Sequence, residues 1–272
     1  NKIYDNIGDD KSIASLLLYP GLQKKELEMK TISYREFFFQ SQKGIFGIIG
    51  AGNFTDRTML PILKNTEAYL KYIASQSGVS STKLAKKYHI ENSTTDYKEV
   101  LCNSDIDTVI FTTRHNTHAK ITIESLEAGK NVFVEKPLAL NLSELKKIHV
   151  TLINNKSLFL MVGFNRRFSP HIEKVKQSLG SNNNSINIVN TMNAGSLTSG
   201  HWSKSLDEGG GRIIGEACHL IDVCVYLTGS LVKSVCMNSL GTETDFSTDN
   251  ASLLLKFENG SNAVINYFSN GS

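Results

Sequence analysis

The stretch Gly47-Ile48-Ile49-Gly50-Ala51-Gly52-Asn53-Phe54-Thr55 sets the architecture expected of this chain. A short apolar run over residues 45–49 reads as a fully buried parallel strand. It stops at Gly50, and an amphipathic segment follows with Met59, Leu60 and Leu63 on one face. Strand, glycine turn and helix in that order is the setting in which a dinucleotide fingerprint carries meaning. Gly50 permits the turn, and Gly52 lets the backbone approach a pyrophosphate. The new helix offers its free N–H groups and the positive end of its dipole. The third fingerprint position holds Thr55, which predicts a slightly wider gap between helix and strand. Taken alone, the motif fits an ordinary glycine turn about as well.

Outward from it the chain alternates strand and helix. Strands are expected at 69–74, 107–113, 131–134 and 158–164, the third running directly into Glu135-Lys136-Pro137. Helices are expected at 81–88 with Ser80 or Ser81 as cap, from about 95 to 102, at 118–128 closed by Gly129, and at 142–152. This rhythm implies a parallel, doubly wound α/β Rossmann domain over residues 44–165. Beyond it, helices are expected at 170–179 and from Gly209-Gly210-Gly211 to Leu227, with period-two strands at 186–192, 232–238, 251–257 and 264–268. Glu258-Asn259-Gly260-Ser261 joins the last two as a hairpin. Residues 166–272 therefore read as an α+β domain with a mostly antiparallel open sheet. The last hairpin is expected to leave its outer edge unpaired, as though further strands followed. Residues 1–43 read as a loosely docked extension or the tail of a preceding domain, with a strand-like run at 13–19 closed by Pro20-Gly21 and a solvated charged stretch at 24–30.

With 272 residues, 40% hydrophobic and 20% charged, the chain has the composition of a globular protein with a sizeable core. A net charge of +3 gives no argument for nucleic acid or an anionic membrane. No apolar run reaches the roughly 20 residues of a membrane helix. Cys102, Cys218, Cys224 and Cys236 lack metal-like spacing, so no metal site is expected; they read as buried free thiols in a reducing, cytoplasmic compartment.

Several further motifs occur in order. They are Thr113-Arg114-His115-Asn116-Thr117-His118, Ala128-Gly129-Lys130-Asn131-Val132, Glu135-Lys136-Pro137-Leu138, Val162-Gly163-Phe164-Asn165-Arg166-Arg167-Phe168, Gly209-Gly210-Gly211, and His219 with Asp222. With the glycine turn, they resemble the glucose–fructose oxidoreductase, inositol dehydrogenase and rhizopine-catabolism (Gfo/Idh/MocA) family over residues 44–270. The wording of 163–170 and 209–219 is similar to members fused behind a medium-chain zinc-dehydrogenase-like domain.

The resemblance implies an oxidoreductase that moves a hydride between a nicotinamide cofactor and a secondary alcohol of a sugar, cyclitol or nucleotide-sugar. It implies that Lys136 touches the substrate hydroxyl and that His219 takes its proton, chemistry that suits a cation and an imidazole near neutral pH. The family commonly has Asp four residues before this His; here Gly215 stands there, and Glu216 is the nearest substitute carboxylate. Gly50, Gly52, Asn53, Phe54, Thr113, Asn116, His118, Glu135 and Lys136 are the implied cofactor contacts. His118 also reads as a helix-start residue, and Glu135 either orients Lys136 or caps local backbone. One of Arg166 and Arg167 would hold a substrate carboxylate or phosphate, Arg166 being preferred, and the other would sit at a surface or domain interface. Trp202 reads either as a sugar-stacking ring or as an ordinary core residue.

Cofactor choice stays open between NAD and NADP, with NAD favoured as the family default. Ser75 or Gln76 falls where an acid would hold the ribose, and no Arg is nearby for a 2′-phosphate. A homo-oligomer formed through the second-domain sheet is expected. Alternatives are a glycoside hydrolase that oxidises its substrate transiently, a catalytically idle dinucleotide-binding module, and a methyltransferase-type glycine loop.

Overall fold

The computed structural model describes residues 30–34, 44–180, 184–198, 200–241 and 248–271. The strand-like run expected at 13–19 lies outside the described residues.

Strands β1 (Thr31–Ser33), β2 (Ile45–Ile49), β3 (Tyr69–Ala74), β4 (Asn92–Thr94), β5 (Thr108–Phe111), β6 (Asn131–Val134) and β7 (Leu160–Val162) form one sheet in the order β1-β4-β3-β2-β5-β6-β7. All neighbours except β1 and β4 run parallel. Helices α1 (Leu60–Leu63, entered through a π-turn at Thr55–Met59), α2 (Val79–Tyr88), α3 (Tyr97–Cys102), α4 (His115–Glu127) and α5 (Leu142–Asn154) connect them. The alternating Ile residues of β2 split between two apolar layers. Ile45 and Ile49 pack with Val109, Phe111 and Val134 on one face, and Ile48 packs with Leu60, Ile73 and Leu84 on the other. Burial on both faces is why this sheet reads as near-continuous apolar runs.

Several expectations shift. Helix α2 starts at Val79 under Gly78, which leaves Ser80 and Ser81 inside it; Ser81 donates back to the Gly78 carbonyl at 3.0 Å. Helix α4 begins at His115, nearly a turn before His118, and β5 is three residues shorter than expected. Within the stretch set apart as an extension, Thr31–Ser33 adds an antiparallel edge strand to β4, and Lys30 pairs with Asp96 at 2.8 Å. Thr55 is buried and its hydroxyl donates to the Gly50 carbonyl at 2.9 Å, with Thr112 Oγ1 at 2.6 Å. Side-chain hydrogen bonds thus join helix and strand where a glycine would bring bare backbone together.

The second domain comprises α6 (Pro170–Leu179), β8 (Asn187–Asn193), a π-turn at Ile213–Ala217 leading into α7 (Cys218–Thr228), and then β9 (Val232–Ser239), β10 (Ala251–Phe257) and β11 (Asn262–Phe268). The sheet order is β8-β11-β10-β9. Strand β11 is therefore interior, antiparallel to β10 and parallel to β8, which corrects the expected free outer edge of the last hairpin. Ala217, Leu220 and Cys224 of the helical stretch pack on Leu253, Leu255, Ile265 and Tyr267. The sheet's other face stays open. Of the four free cysteines only Cys224 is buried, and Cys102 and Cys236 are exposed, contrary to the expectation of four buried thiols. No helix among the described residues is long and apolar enough to cross a membrane.

Candidate active site

The carboxyl ends of β2, β3, β4 and β5 border a cleft of about 510 Å³ lined by Gly50, Ser75, Gln76, Asp96, Tyr97 and Thr113 among others. Gly50 makes the turn with φ +108°, and a Cβ there would lie 2.8 Å from Thr112 Oγ1. Gly52 is exposed and a Cβ on it would meet nothing within 4 Å, so bare backbone faces open space at the start of the helix. Asn53 and Phe54 form the first helical residues, whose amides have no intrahelical acceptor. These donors fit a pyrophosphate.

No acid ends β3. Instead Ser75 Oγ lies 2.8 Å from Ser80 Oγ and 3.5 Å from Ser77 Oγ. The acid in the cleft is Asp96, brought in because β4 lies beside β3. The Lys30 ammonium and the Lys98 amide, at 2.8 and 3.0 Å, hold its carboxyl below the usual range. Thr113 lines the cleft with its hydroxyl 2.6 Å from that of Thr117. Asn116 and His118 sit elsewhere. The Asn116 amide donates to the Glu208 carbonyl at 3.1 Å, and its side chain is exposed. His118 is fully buried, its Nδ1 2.7 Å from the Pro137 carbonyl and its Nε2 3.1 Å from that of Thr113. Burial lowers its pKa against the pull of these carbonyls. His118 thus straps the loop after β5 to the loop after β6 rather than presenting itself to a cofactor.

That second loop carries Glu135, Lys136 and Pro137, with a cis Lys136–Pro137 peptide. Lys136 Nζ donates to the Gly215 carbonyl at 2.7 Å, joining the first domain to the π-turn of the second. Burial pushes the Glu135 carboxyl up to about 7 against the pull of Lys136. Gly163 makes room for it, since a Cβ there would stand 2.5 Å from Oε1.

His219 follows Gly215 by one helical turn. Its ring is 7% exposed and stands edge-on to Phe164 at 6.0 Å. Burial, then Lys136 and Arg166, lowers its pKa to about 4, and its Nδ1 has no hydrogen-bond partner among the described residues. Lys136 and His219 are thus brought together.

Glu216 is placed differently from a free base. Arg212 donates to both its oxygens at 2.9 and 3.0 Å and Tyr267 donates at 2.5 Å, so the carboxylate is fully engaged. Arg167 makes a two-point ion pair with buried Asp222. Arg166 has one described contact, to the Met192 sulfur at 3.5 Å. Trp202 is covered on one face by the Arg114 guanidinium at 4.3 Å and stands edge-on to His115 at 4.7 Å, so it packs between the domains rather than offering a free sugar platform. His115, which the sequence did not single out, donates or accepts at 2.8 Å to the Gly209 carbonyl; a carbonyl accepts, so Nδ1 carries the proton. A Cβ at Gly215 would lie 3.2 Å from His115 Cε1, so this ring fills the space a side chain there would need.

A glycine turn, a strand-end cleft and a lysine set against a histidine-bearing helix define a two-domain dinucleotide-binding oxidoreductase. Two family models match: an oxidoreductase family, NAD-binding Rossmann fold, over residues 45–164, and a GFO/IDH/MocA C-terminal domain over 185–271. The chain belongs to the Gfo/Idh/MocA family of NAD(P)-binding oxidoreductases. It is 29% identical over 230 residues to the uncharacterized oxidoreductase YrbE of Bacillus subtilis, covering 81% of this chain and 66% of that protein. With inositol 2-dehydrogenase of Rhizobium meliloti it shares 33% over 134 residues, 49% of this chain and 40% of that one. The chain thus spans less than two thirds of the length of these curated relatives. In fold it is similar to KijD10, a 3-ketoreductase from Actinomadura kijaniata solved with NADP and TDP-benzene (TM-score 0.70, 20% identity, 84% of this chain and 70% of that chain). A myo-inositol 2-dehydrogenase from Lactobacillus plantarum matches equally, with TM-score 0.70, 20% identity and the same coverage.

The buried imidazoles make stability depend on pH. His115 and His219 stay neutral in the fold down to about pH 4, whereas an unfolded histidine protonates near 6.5. Their contribution is full above 6.5 and is lost as pH falls towards 4. Glu135 works in the opposite sense, being most favourable below 4.5 and losing its contribution as pH rises through about 7. His118, also buried with a lowered pKa, adds to the two rings, and together they outweigh the one carboxyl, so urea-derived stability should fall as pH drops from 6.5 to 4. His115→Gln should flatten that slope, and an unchanged slope would remove His115 from the account.

Proposed function

We propose that the protein is an NAD(P)-dependent dehydrogenase that oxidises or forms a secondary alcohol of a sugar, cyclitol or nucleotide-sugar. The observation that carries this reading is Lys136 Nζ, fixed 2.7 Å from the Gly215 carbonyl one turn before His219. A bound nicotinamide would supply the hydride acceptor. Lys136 would donate a hydrogen bond to the substrate oxygen and stabilise the negative charge that grows there. His219, neutral at pH 7, would take the hydroxyl proton as the carbon–hydrogen bond breaks and the carbonyl forms. Glu135 would position Lys136 from the same loop, and Glu216, held by Arg212 and Tyr267, would act as a fixed charge. Gly50, Gly52, Asn53 and Phe54 would hold the pyrophosphate, and Ser75 and Thr113 the two riboses. Names of relatives that act on inositols support the cyclitol and sugar class.

In a screen of inositols and hexoses with NAD and NADP, Lys136→Met should lower kcat by about 10²–10³-fold and leave dinucleotide affinity unchanged. His219→Ala should lose about 10²–10⁴-fold, with the double variant far from additive. Net release of reduced nicotinamide separates a dehydrogenase from a hydrolase that oxidises only transiently. Variants as active as the parent would overturn the assignment.

NAD is the favoured partner in this reading, because Asp96 shares the cleft with Ser75 and would oppose the charge of a 2′-phosphate. Asp96→Asn should therefore raise NADP affinity relative to NAD by calorimetry; an unchanged ratio would refute this preference.

We also propose a homo-oligomer through the open sheet. Val189, Val264, Leu254 and Cys236 are register partners across all four strands and form one apolar row. Rows led by Asn262–Lys256 and Asn266–Ser252 flank it, a pattern that suits face-to-face packing with a second copy. Leu254→Asp should lower the mass seen by light scattering, and an unaffected mass would exclude this face.

A further inference from the structure

Resting on the dehydrogenase reading, we propose that Lys30 is a specificity-determining residue for the dinucleotide: it exchanges its partner Asp96 for the 2′-phosphate of NADP, so the cleft takes NADP as well as NAD. The lysine comes from the stretch ahead of the Rossmann strands. Thr31–Ser33 lies along β4 as an antiparallel edge, and the Thr95 amide donates to the Lys30 carbonyl at 3.1 Å. That pairing fixes the Lys30 backbone beside the carboxyl end of β4, where Thr95 and Asp96 border the cleft. From there its ammonium donates to Asp96 Oδ2 at 2.8 Å.

The place of the ribose follows from the strand order. In a dinucleotide-binding βαβ unit the ribose 2′ position meets the end of the second strand, here β3, where Ser75 stands. Strand β4 is its neighbour, and the Ser75 amide donates to the Thr94 carbonyl at 3.1 Å, two residues before Asp96. Ser80 Oγ lies 2.8 Å from Ser75 Oγ and 3.2 Å from Ser77 Oγ. These hydroxyls offer a phosphate hydrogen bonds but no charge. Other cations are placed elsewhere. Arg114 borders the cleft from beyond β2 and β5, paired with Glu208 at 3.2 Å and laid over Trp202. Lys98 pairs with Glu124 at 2.7 Å and Lys71 with Asp105 at 2.6 Å. Lys83 of α2 acts on Asp56, in the turn that opens α1.

The exchange is cheap for both partners. The Lys30 side chain is 57% exposed, and an ion pair so open to water holds its members weakly. Its ammonium is a point charge on a flexible stem, free to turn to a new acceptor. Asp96 stays in place without it, because Oδ1 accepts the Lys98 amide at 3.0 Å and caps α3. Glu99, the other acid acting on Lys30, accepts the Thr94 hydroxyl at 3.1 Å. A phosphate monoester carries up to about twice the charge of a carboxylate and three strong acceptor oxygens, so it wins the lysine. With NAD bound the lysine remains on Asp96.

The test titrates the full chain with NAD and with NADP by calorimetry at low and high ionic strength. Lys30→Met should weaken NADP about 10-fold or more, the loss expected of a charge-assisted hydrogen bond, and leave NAD affinity unchanged. Lys30→Arg should keep NADP binding, and the Lys30→Met loss should shrink as salt rises. Lys83→Met should leave the NADP to NAD ratio unchanged. In an Asp96→Asn background Lys30→Met should still weaken NADP, because the lysine touches the phosphate itself. A parent that binds NAD but not NADP, an unchanged ratio in Lys30→Met, an equal loss of both dinucleotides, or a loss that vanishes in the Asp96→Asn background would overturn the proposal. A parent that binds neither dinucleotide defeats the dehydrogenase reading, whereas the other failures leave that reading standing and defeat only the role of Lys30.

Discussion

The contact between Lys136 Nζ and the Gly215 carbonyl is the point on which the two domains converge. It exists because a parallel strand, β6, delivers its carboxyl end to the cleft and because the facing helix begins with a π-turn that turns a carbonyl outward. Around it the remaining interdomain ties fall into place. Arg167 reaches Asp222, His115 reaches Gly209, and Arg114 covers Trp202. The last two cross from the loop after β5 to the second domain, while Arg167 stands just past the last Rossmann strand. A single ion pair between partly exposed groups would contribute little, but the Arg167–Asp222 pair has a buried carboxylate and two-point geometry, so removing the arginine would strand a charge.

The division of labour among histidines follows from burial. His118, His115 and His219 all have depressed pKa values with burial as the leading cause, yet their partners differ. His118 has backbone carbonyls at both nitrogens and His115 has one, whereas the Nδ1 of His219 is buried without a partner among the described residues. An unsatisfied buried nitrogen costs stability, and the ring that bears this cost is the one set beside Lys136. The first two rings tie loops together, and the third is the one whose Nδ1 no described residue satisfies.

Much of the fold was legible from residue patterns. Residues 69–74, 131–134, 170–179 and 251–257 form the expected elements within their expected bounds, because doubly buried strands and amphipathic helices announce themselves locally. Strand order was not legible, since period-two alternation is the same whether a neighbour runs parallel or antiparallel. That is why β11 reads as an edge in sequence and lies inside the sheet in space. In the site, Lys136 and His219 were visible as motif residues. The Arg212–Glu216 pair was available from its four-residue spacing, but the Tyr267 hydroxyl that completes it comes from a strand 51 residues away. Asp96 and His115 carried no local signal: one enters the cleft only through the neighbouring positions of β3 and β4, the other only through the Gly209 carbonyl.

The interior place of β11 has a consequence for how the second domain assembles. Its first strand, β8, ends at Asn193, and its hydrogen-bonded neighbour begins only at Asn262. On a chain emerging from the ribosome, β8 must wait through most of the domain's sequence before its register partners Ile265 and Tyr267 arrive. Long-range pairing of this kind slows the search for the native sheet, because the loop must close before any contact rewards it. The Rossmann domain, built from short sequential crossovers, can be complete by then. The dinucleotide-binding domain would thus be synthesised as a finished template, and the sheet of the second domain would be the late arrival beside it.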